Sequence, residues 1–218
     1  PEPCCRWAGA TVASMNSPAD THDAPASLVL ASSSPRRRLL LSLAGFEFEV
    51  AEPGVDETRL EAERPEDYVC RIALLKARAV AAAQPAGALV LGCDTTVVLD
   101  DAVLGKPTDE RHAAAMLLAL AGKTHVVYTG YALIVAGGDD EEAGVDATRV
   151  TMRSMSPAEA AAYAATGEPL DKAGGYALQG KGNGFVERVD GLRSTVIGLP
   201  LEKVVDLLIR NGVVPTLV

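Results

Sequence analysis

The centre of the chain carries one long apolar run, Ala88-Leu89-Val90-Leu91-Gly92-Cys93-Asp94-Thr95-Thr96-Val97-Val98-Leu99. Its β-branched residues favour a buried strand, although the segment from Gly92 to Thr95 interrupts the run in its middle. An acid inside such a run is costly unless it is paired, hydrogen-bonded or bound to a metal. Asp94 is therefore either a base or metal ligand in a buried site, or a cap on a turn after a strand that ends at Leu91. The run is equally compatible with both interpretations.

The segments on either side of this run alternate between strand and helix patterns before it and include a hairpin after it. We predict strands at residues 28–31, 46–50, 88–99, 128–136, 145–155, 185–189 and 195–197. We predict helices at residues 35–44, 65–83 and 108–121, a helix from the capping box at Ser156 to near Gly167, and an amphipathic helix at 200–210. This order predicts an α/β fold in which helices flank a mixed sheet.

Composition limits the class of protein. The chain has 218 residues, of which 48% are hydrophobic, so we expect one packed domain over residues 28–218. Residues 1–27 are rich in Ala, Pro, Ser and Asp and lack the apolar segment of a secretory signal, which predicts a flexible tail. No apolar run approaches the roughly 20 residues of a membrane-spanning helix, so we expect no membrane association. The four cysteines show no CxxC spacing, which fits a reducing, cytoplasmic compartment.

The net charge of −9 disfavours nonspecific nucleic-acid binding, which usually needs a basic face. An acidic protein also repels a triphosphate at long range. If this chain binds a triphosphate, it needs a local basic pocket.

One candidate for such a pocket is Ser32-Ser33-Ser34-Pro35-Arg36-Arg37, where a predicted strand leads into a helix. Ser34 suits the N-cap, and free backbone N–H groups at a helix N-terminus bind anions. Arg36 and Arg37 add cationic forks that match phosphate oxygens, at the end of the helix where cations cost stability. The alternative is a solvated basic turn.

Three lysines and a glycine-rich segment are further candidates. Lys76 falls on the apolar stripe of its helix, where a buried ammonium needs a partner, unless the side chain extends to solvent. Lys106 and Lys172 lie in turns, and each is weak evidence alone. Gln179, in the segment 174–184, could read the edge of a base through its amide, or the segment could be a flexible surface loop.

Taken together and in order, several segments resemble the Maf family of nucleotide pyrophosphatases, from Leu28 to about Leu208. The matching segments are residues 32–37, 68–77, 91–96, 104–107, 128–130, 166–174, 178–180 and 198–200. The chain departs from the family pattern at Leu192, where Tyr is common, and at Cys93, where Ala is commoner.

The resemblance implies two lobes around a deep cleft, a fold related to inosine triphosphate pyrophosphatases, and a homodimer. It also implies hydrolysis of a nucleoside triphosphate between the α- and β-phosphates with a divalent metal, Mg²⁺ or Mn²⁺. Asp94 matches the family's proton acceptor and Glu57 an acid near the metal. Arg37, Thr95 and Gln179 match positions that set base choice, and they carry the residues of the branch that prefers dTTP and UTP.

We therefore expect a dTTP/UTP pyrophosphatase, with modified pyrimidine triphosphates as further candidate substrates. Asp94 and Lys106 are the expected catalytic residues, and Glu57 and Asp94 the expected metal ligands. The expected substrate-binding residues are Ser34, Arg36, Arg37, Lys76, Thr95, Lys172 and Gln179. The competing interpretations are a nucleotide-binding regulator of cell division without turnover, and a hydrolase for noncanonical purine or 7-methylguanosine triphosphates.

Overall fold

The computed structural model describes residues 27–216, and these residues form a single seven-stranded sheet with flanking helices. The strands are β1 (Leu28–Ala31), β2 (Glu49–Ala51), β3 (Leu89–Leu99), β4 (Ala102–Leu104), β5 (Thr124–Val135), β6 (Glu141–Met152) and β7 (Val186–Asp190). The α-helices are α1 (Pro35–Leu43), α2 (Pro65–Ala81), α3 (Glu110–Leu120), α4 (Pro157–Ala164), α5 (Arg193–Ile197) and α6 (Leu201–Arg210). Short 3₁₀ turns lie at Ala173–Gly175 and Lys181–Phe185.

The sheet is mixed, as predicted. Its strand order is β2-β1-β3-β5-β6-β7, and β4 pairs with β3 off this path. β1 runs parallel to both of its neighbours, whereas the remaining pairs are antiparallel. Asp100 and Asp101 form the tight turn into β4, both with positive φ, as a two-residue hairpin loop requires. The α/β prediction is therefore confirmed.

Strand β3 is continuous through Asp94, so the interpretation that the strand ends at Leu91 is wrong. Its residues pair with β5 along the whole central stretch, with Asp94 opposite Gly130 and Thr95 opposite Thr129. Because side chains alternate across a strand, Asp94 and Thr95 project from opposite faces of the sheet.

Apart from the residues that pack against α2, the long strands run through two separate parts of the hydrophobic core. Leu89, Leu91 and Cys93 of β3 pack with α1 and α6, whereas Val97 and Leu99 pack with α3 and α4. β5 divides in the same way, with Leu133 in the first part and Val127 in the second. The middle residues of both strands therefore lie at the junction of two lobes, as the family resemblance implies.

Helix α2 lies unusually close to the sheet because two strand residues have no side chain. A Cβ at Gly92 would lie 2.2 Å from the carbonyl oxygen of Ala73, and one at Gly130 would lie 2.3 Å from that of Val69. Both positions face α2, as does Asp94. These glycines therefore set the distance between α2 and the centre of the sheet.

Some local predictions are wrong. The β-branched segment Thr195–Ile197 belongs to a short helix rather than a strand, because its packing against β5 and β6 outweighs its propensity. Helix α3 begins at Glu110 and not at residue 108, because the Asp109 carboxylate caps it by accepting from the backbone of His112.

Two further structural findings concern the ends of the chain and its helices. The predicted tail, residues 1–27, lies outside the described residues except for Ser27. Within residues 27–216, no helix has both the length and the apolar composition needed to cross a bilayer.

We predict that Gly130→Ala destabilises the protein by about 3 kcal/mol, because the new Cβ collides with backbone that cannot yield cheaply. Gly184→Ala is the matched control, since a Cβ there meets nothing within 4 Å. Urea unfolding of both variants measures the difference. Equal stabilities of the two variants would contradict the role given to Gly130.

A second prediction concerns pH. His125 is buried on β5 with Nε2 2.7 Å from the Tyr176 hydroxyl, and burial lowers its pKa to about 4 from an ordinary value of 6.5. The unfolded chain therefore binds a proton on His125 at a higher pH than the folded chain does. Stability from this residue is complete above about pH 6.5 and falls by about 3 kcal/mol as the pH drops to 4.

The measurement is the free energy of unfolding of wild type and His125→Gln at pH 7.5 and pH 4. Glutamine can still hydrogen-bond Tyr176 but does not titrate. We expect the wild-type stability to fall further than that of the variant. The assignment would be refuted if the free energies of unfolding of the two proteins differed by the same amount at both pH values.

Candidate functional site

A cleft of about 430 Å³ opens at the junction of the two lobes. Its lining includes every residue predicted for the site: Ser34, Arg36, Arg37, Glu57, Lys76, Asp94, Thr95, Lys106, Lys172 and Gln179. They come from α1, α2, β3 and the loops that precede α1, precede α2, follow β4 and follow α4, so only the folded chain assembles them.

The most buried charges in the cleft are Lys76 and Asp94, which are 5% and 6% exposed. Lys76 Nζ donates to Asp94 Oδ1 at 2.7 Å and lies 2.9 Å from Glu57 Oε1. The lysine thus points inward rather than extending to solvent. Burial raises the pKa of Asp94, and the charges of Lys76 and Arg37 offset part of that rise.

The loop that carries Glu57 is fastened to α2. The Tyr68 hydroxyl donates to the Glu57 carbonyl oxygen at 3.0 Å, and Arg71 donates to the carbonyl oxygen of Thr58 and to both carboxylate oxygens of Glu63. Burial, with the charges of Asp94 and Glu57, raises the pKa of Tyr68 to about 12. Helix α2 therefore positions both an ammonium and a second carboxylate beside Asp94.

Arg37 is held by three uncharged acceptors. Its Nε donates to the Gly198 carbonyl at 2.7 Å, and its two terminal nitrogens donate to Ser32 Oγ at 3.2 Å and Thr95 Oγ1 at 3.1 Å. These bonds fix the guanidinium without neutralising it. Because these three acceptors carry no charge, the Arg37 guanidinium at the cleft wall is suited to bind an anion or carbonyl oxygens of a ligand.

Arg36 and Lys172 meet through one carboxylate. Arg36 lies 3.1 Å from Asp171 Oδ2, while Lys172 binds Asp171 Oδ1 and the Glu168 carbonyl. Asp171 is well exposed; burial alone would raise its pKa, but the hydrogen bonds and charges of Lys172 and Arg36 together hold that pKa below its ordinary value. This carboxylate links the two sides of the cleft, and a phosphate group could take its place between the same two cations.

The segment that carries Gln179 is shaped by Glu168 and Tyr163. Glu168 accepts from the Tyr163 hydroxyl at 2.8 Å and from the backbone nitrogens of Lys181 and Gly182. The Tyr163 hydroxyl in turn accepts from the Ala177 backbone. The glycine-rich segment is therefore an anchored part of the cleft wall and not a loose surface loop.

The remaining predicted residues differ in environment. Lys106 is exposed at the cleft, and the described residues give it no ion pair. Ser34 stands at the N-cap of α1, but its side chain makes no capping bond; its backbone N–H instead donates to Ser32 Oγ.

Tyr68 and Asp171 are cleft residues that sequence reasoning did not assign to the site, and Ser32, which lies within the candidate segment 32–37, was given no role there. Each stands next to, or within, a segment already singled out. An Asp beside a Lys is usually a solvated pair, and only the fold shows that Asp171 also reaches Arg36.

The acids of the cleft form a small oxygen-donor set. Among residues 27–216, no three His, Cys, Asp or Glu side chains are grouped to hold a metal ion by themselves. Asp94 and Glu57 nevertheless converge on one cationic nitrogen. One or two carboxylates beside substrate phosphates is the usual donor set for Mg²⁺, so these two acids fit such an ion.

Known proteins have sequences similar to this chain. A family model described as "Maf-like protein" matches residues 27–211. The dTTP/UTP pyrophosphatase of Myxococcus xanthus (strain DK1622) is 52% identical over 185 residues, 85% of this chain and 92% of that protein. The enzymes of the same name from Desulfotalea psychrophila and Photorhabdus laumondii are 45% and 46% identical, over 86% and 84% of this chain and 95% and 93% of those proteins.

Among solved structures, a nucleoside-triphosphatase (dITP/XTP pyrophosphatase) from Mycobacterium abscessus aligns with a TM-score of 0.38 and 17% identity. The alignment covers 58% of this chain and 74% of that one. The fold assignment rests on the strand order and not on this alignment.

We predict that Lys76→Met destabilises the protein by about 3 kcal/mol at pH 8, because it leaves the Asp94 carboxylate buried without its partner. Adding Asp94→Asn to this variant removes the buried charge and should restore most of the loss. Thermal unfolding of wild type, both single variants and the double variant measures the coupling. Additive losses would contradict a coupled pair.

Proposed function

Because the chain belongs to the Maf family, we propose that it hydrolyses dTTP and UTP to the nucleoside monophosphate and pyrophosphate. Three relatives named for this activity, at 45–52% identity over most of both chains, support the proposal. The observation that carries it is the cleft itself, in which a buried Lys–Asp pair lies among cations drawn from both lobes.

The cations give a triphosphate a local positive site on an acidic protein. Arg36 and Lys172 would bind phosphate oxygens where Asp171 now bridges them, and Lys106 would add a third cation from the exposed edge. The N-terminus of α1, with Ser34, offers backbone N–H groups to the same anion. These contacts would align the chain of phosphates and offset the charge on the leaving pyrophosphate.

Asp94 would act on the attacking water. Its Oδ1 accepts from Lys76, which leaves Oδ2 to take the water proton. The water oxygen then bonds to the α-phosphorus, and the bond from that phosphorus to the bridging oxygen breaks. Pyrophosphate leaves with the electron pair. Burial raises the pKa of this carboxylate, and Lys76 both holds the carboxylate in place and offsets part of that rise.

Asp94 and Glu57 would hold a divalent cation, Mg²⁺ or Mn²⁺, beside the phosphates. Such an ion supplies Lewis-acid stabilisation of charge on phosphate oxygens. The convergence of both carboxylates on Lys76 Nζ supports this pair as the ligands.

A nucleotide-binding regulator without turnover is the competing function. A carboxylate beside a polyanion weakens binding, so a protein that only binds has no use for Asp94 at this position. A buried, positioned carboxylate favours turnover. The cytoplasmic location stays a prediction from the cysteine pattern, and the homodimer stays a prediction from the resemblance. The exposed Leu39 and Leu43 of α1 are one surface that a dimer could cover.

We predict pyrophosphate release from dTTP and UTP in the presence of Mg²⁺ and none with a chelator. The assay compares dTTP, UTP, CTP, GTP and 7-methylguanosine triphosphate under the same conditions. Preference for either purine substrate would overturn the base assignment. Binding of UTP without release of pyrophosphate would instead support the regulator.

A further inference from the structure

A chain of hydroxyl groups runs from the cleft into the protein. Thr95 Oγ1 accepts from Arg37 and lies 2.9 Å from Thr129 Oγ1, which is fully buried on the neighbouring strand. Thr129 Oγ1 lies 2.8 Å from the carbonyl oxygen of Thr195, and the Thr195 hydroxyl donates to Asp146 Oδ2 at 2.6 Å. The residues come from β3, β5, α5 and β6.

Which hydroxyl donates in each hydrogen bond of this series follows from which groups can donate and which can only accept. A carbonyl oxygen can only accept, so the single proton of Thr129 goes to Thr195. Thr129 Oγ1 can then only accept a hydrogen bond from Thr95, so the hydroxyl proton of Thr95 is used in that bond. The Thr95 hydroxyl therefore has no proton left for a ligand and presents only a lone pair to the cleft.

An acceptor at this position distinguishes two kinds of pyrimidine. Uracil and thymine carry an N3–H donor, whereas N3 of cytosine is an acceptor. A lone pair on Thr95 can therefore pair with the first two bases and meets an unfavourable acceptor on the third. Arg37 supplies a donor beside this acceptor: Gly198 and Thr95 hold its guanidinium, and each of its terminal nitrogens carries a second hydrogen that can bind a carbonyl oxygen of the base.

We propose that Thr129 is a positioning residue for base choice: it fixes the Thr95 hydroxyl as a pure acceptor and so selects dTTP and UTP over CTP. The proposal rests on the proposed function, since it assumes that a pyrimidine triphosphate occupies this cleft. Thr129 itself does not line the cleft and acts only through Thr95.

The test is the ratio of kcat/KM for UTP to kcat/KM for CTP in wild type, Thr129→Val and Thr129→Ser. Valine keeps the shape but frees the Thr95 proton, so the ratio should fall by about tenfold, the scale of one hydrogen bond. Serine keeps the hydroxyl and should restore the ratio. Thr129→Ala serves in place of the valine variant if that protein does not fold.

Thr148→Val is the matched control. Thr148 is equally buried, and its hydroxyl donates to the Leu192 carbonyl just before α5, but it does not contact Thr95. General loosening of the lobe junction would affect UTP and CTP alike and leave the ratio unchanged in this control. An unchanged ratio in Thr129→Val, or a ratio lowered as much by serine or by Thr148→Val, overturns the inference. If wild type releases no pyrophosphate from UTP, the proposed function itself fails.

Discussion

The close approach of α2 to the centre of the sheet is the constraint on which the site depends. Without a side chain at Gly92 and Gly130, backbone of the helix can lie against the strands, and this places Lys76 2.7 Å from Asp94. A carboxylate in the middle of a buried strand is tolerable only because this ammonium meets it. The same helix fastens the loop that carries Glu57. The contact between α2 and the sheet therefore determines both the packing of the helix and the positions of the charged groups in the cleft.

The cleft gathers positive charge although the molecule as a whole is acidic. The chain carries a net charge of −9, yet its cleft gathers arginines and lysines from both lobes. Arg37 binds neutral oxygens, and Arg36 and Lys172 bind an exposed carboxylate. Such partners can be exchanged for phosphate oxygens at modest cost, because an exposed ion pair contributes little. The deepest pair, Lys76 and Asp94, is the one that a ligand is least able to displace.

The sequence predicts the mixed sheet and nearly every helix because strand and helix periodicities are clear in it. It also places Lys76 on an inward-facing stripe. It does not decide the environment of Asp94, because the space for α2 depends on Gly130, which is 36 residues away on another strand. The bond between Thr95 and Thr129 depends on strand register, and the contact of Asp171 with Arg36 depends on how two loops meet. The helix at Thr195 goes against local propensity. The local sequence pattern therefore does not predict the contacts between segments that are far apart in the chain.

In the proposed mechanism, Asp94 activates the water and Lys76 holds the Asp94 carboxylate in place. The Asp94→Asn variant tests this most directly. Asparagine keeps the size and can still accept a hydrogen bond from Lys76, but it cannot take a proton. The measurement is kcat for UTP, together with the melting temperature and the Kd of UTP. We expect a loss in kcat of at least about a hundredfold in a protein that remains folded and still binds UTP. A variant that turns over UTP within about threefold of the wild-type rate would contradict it.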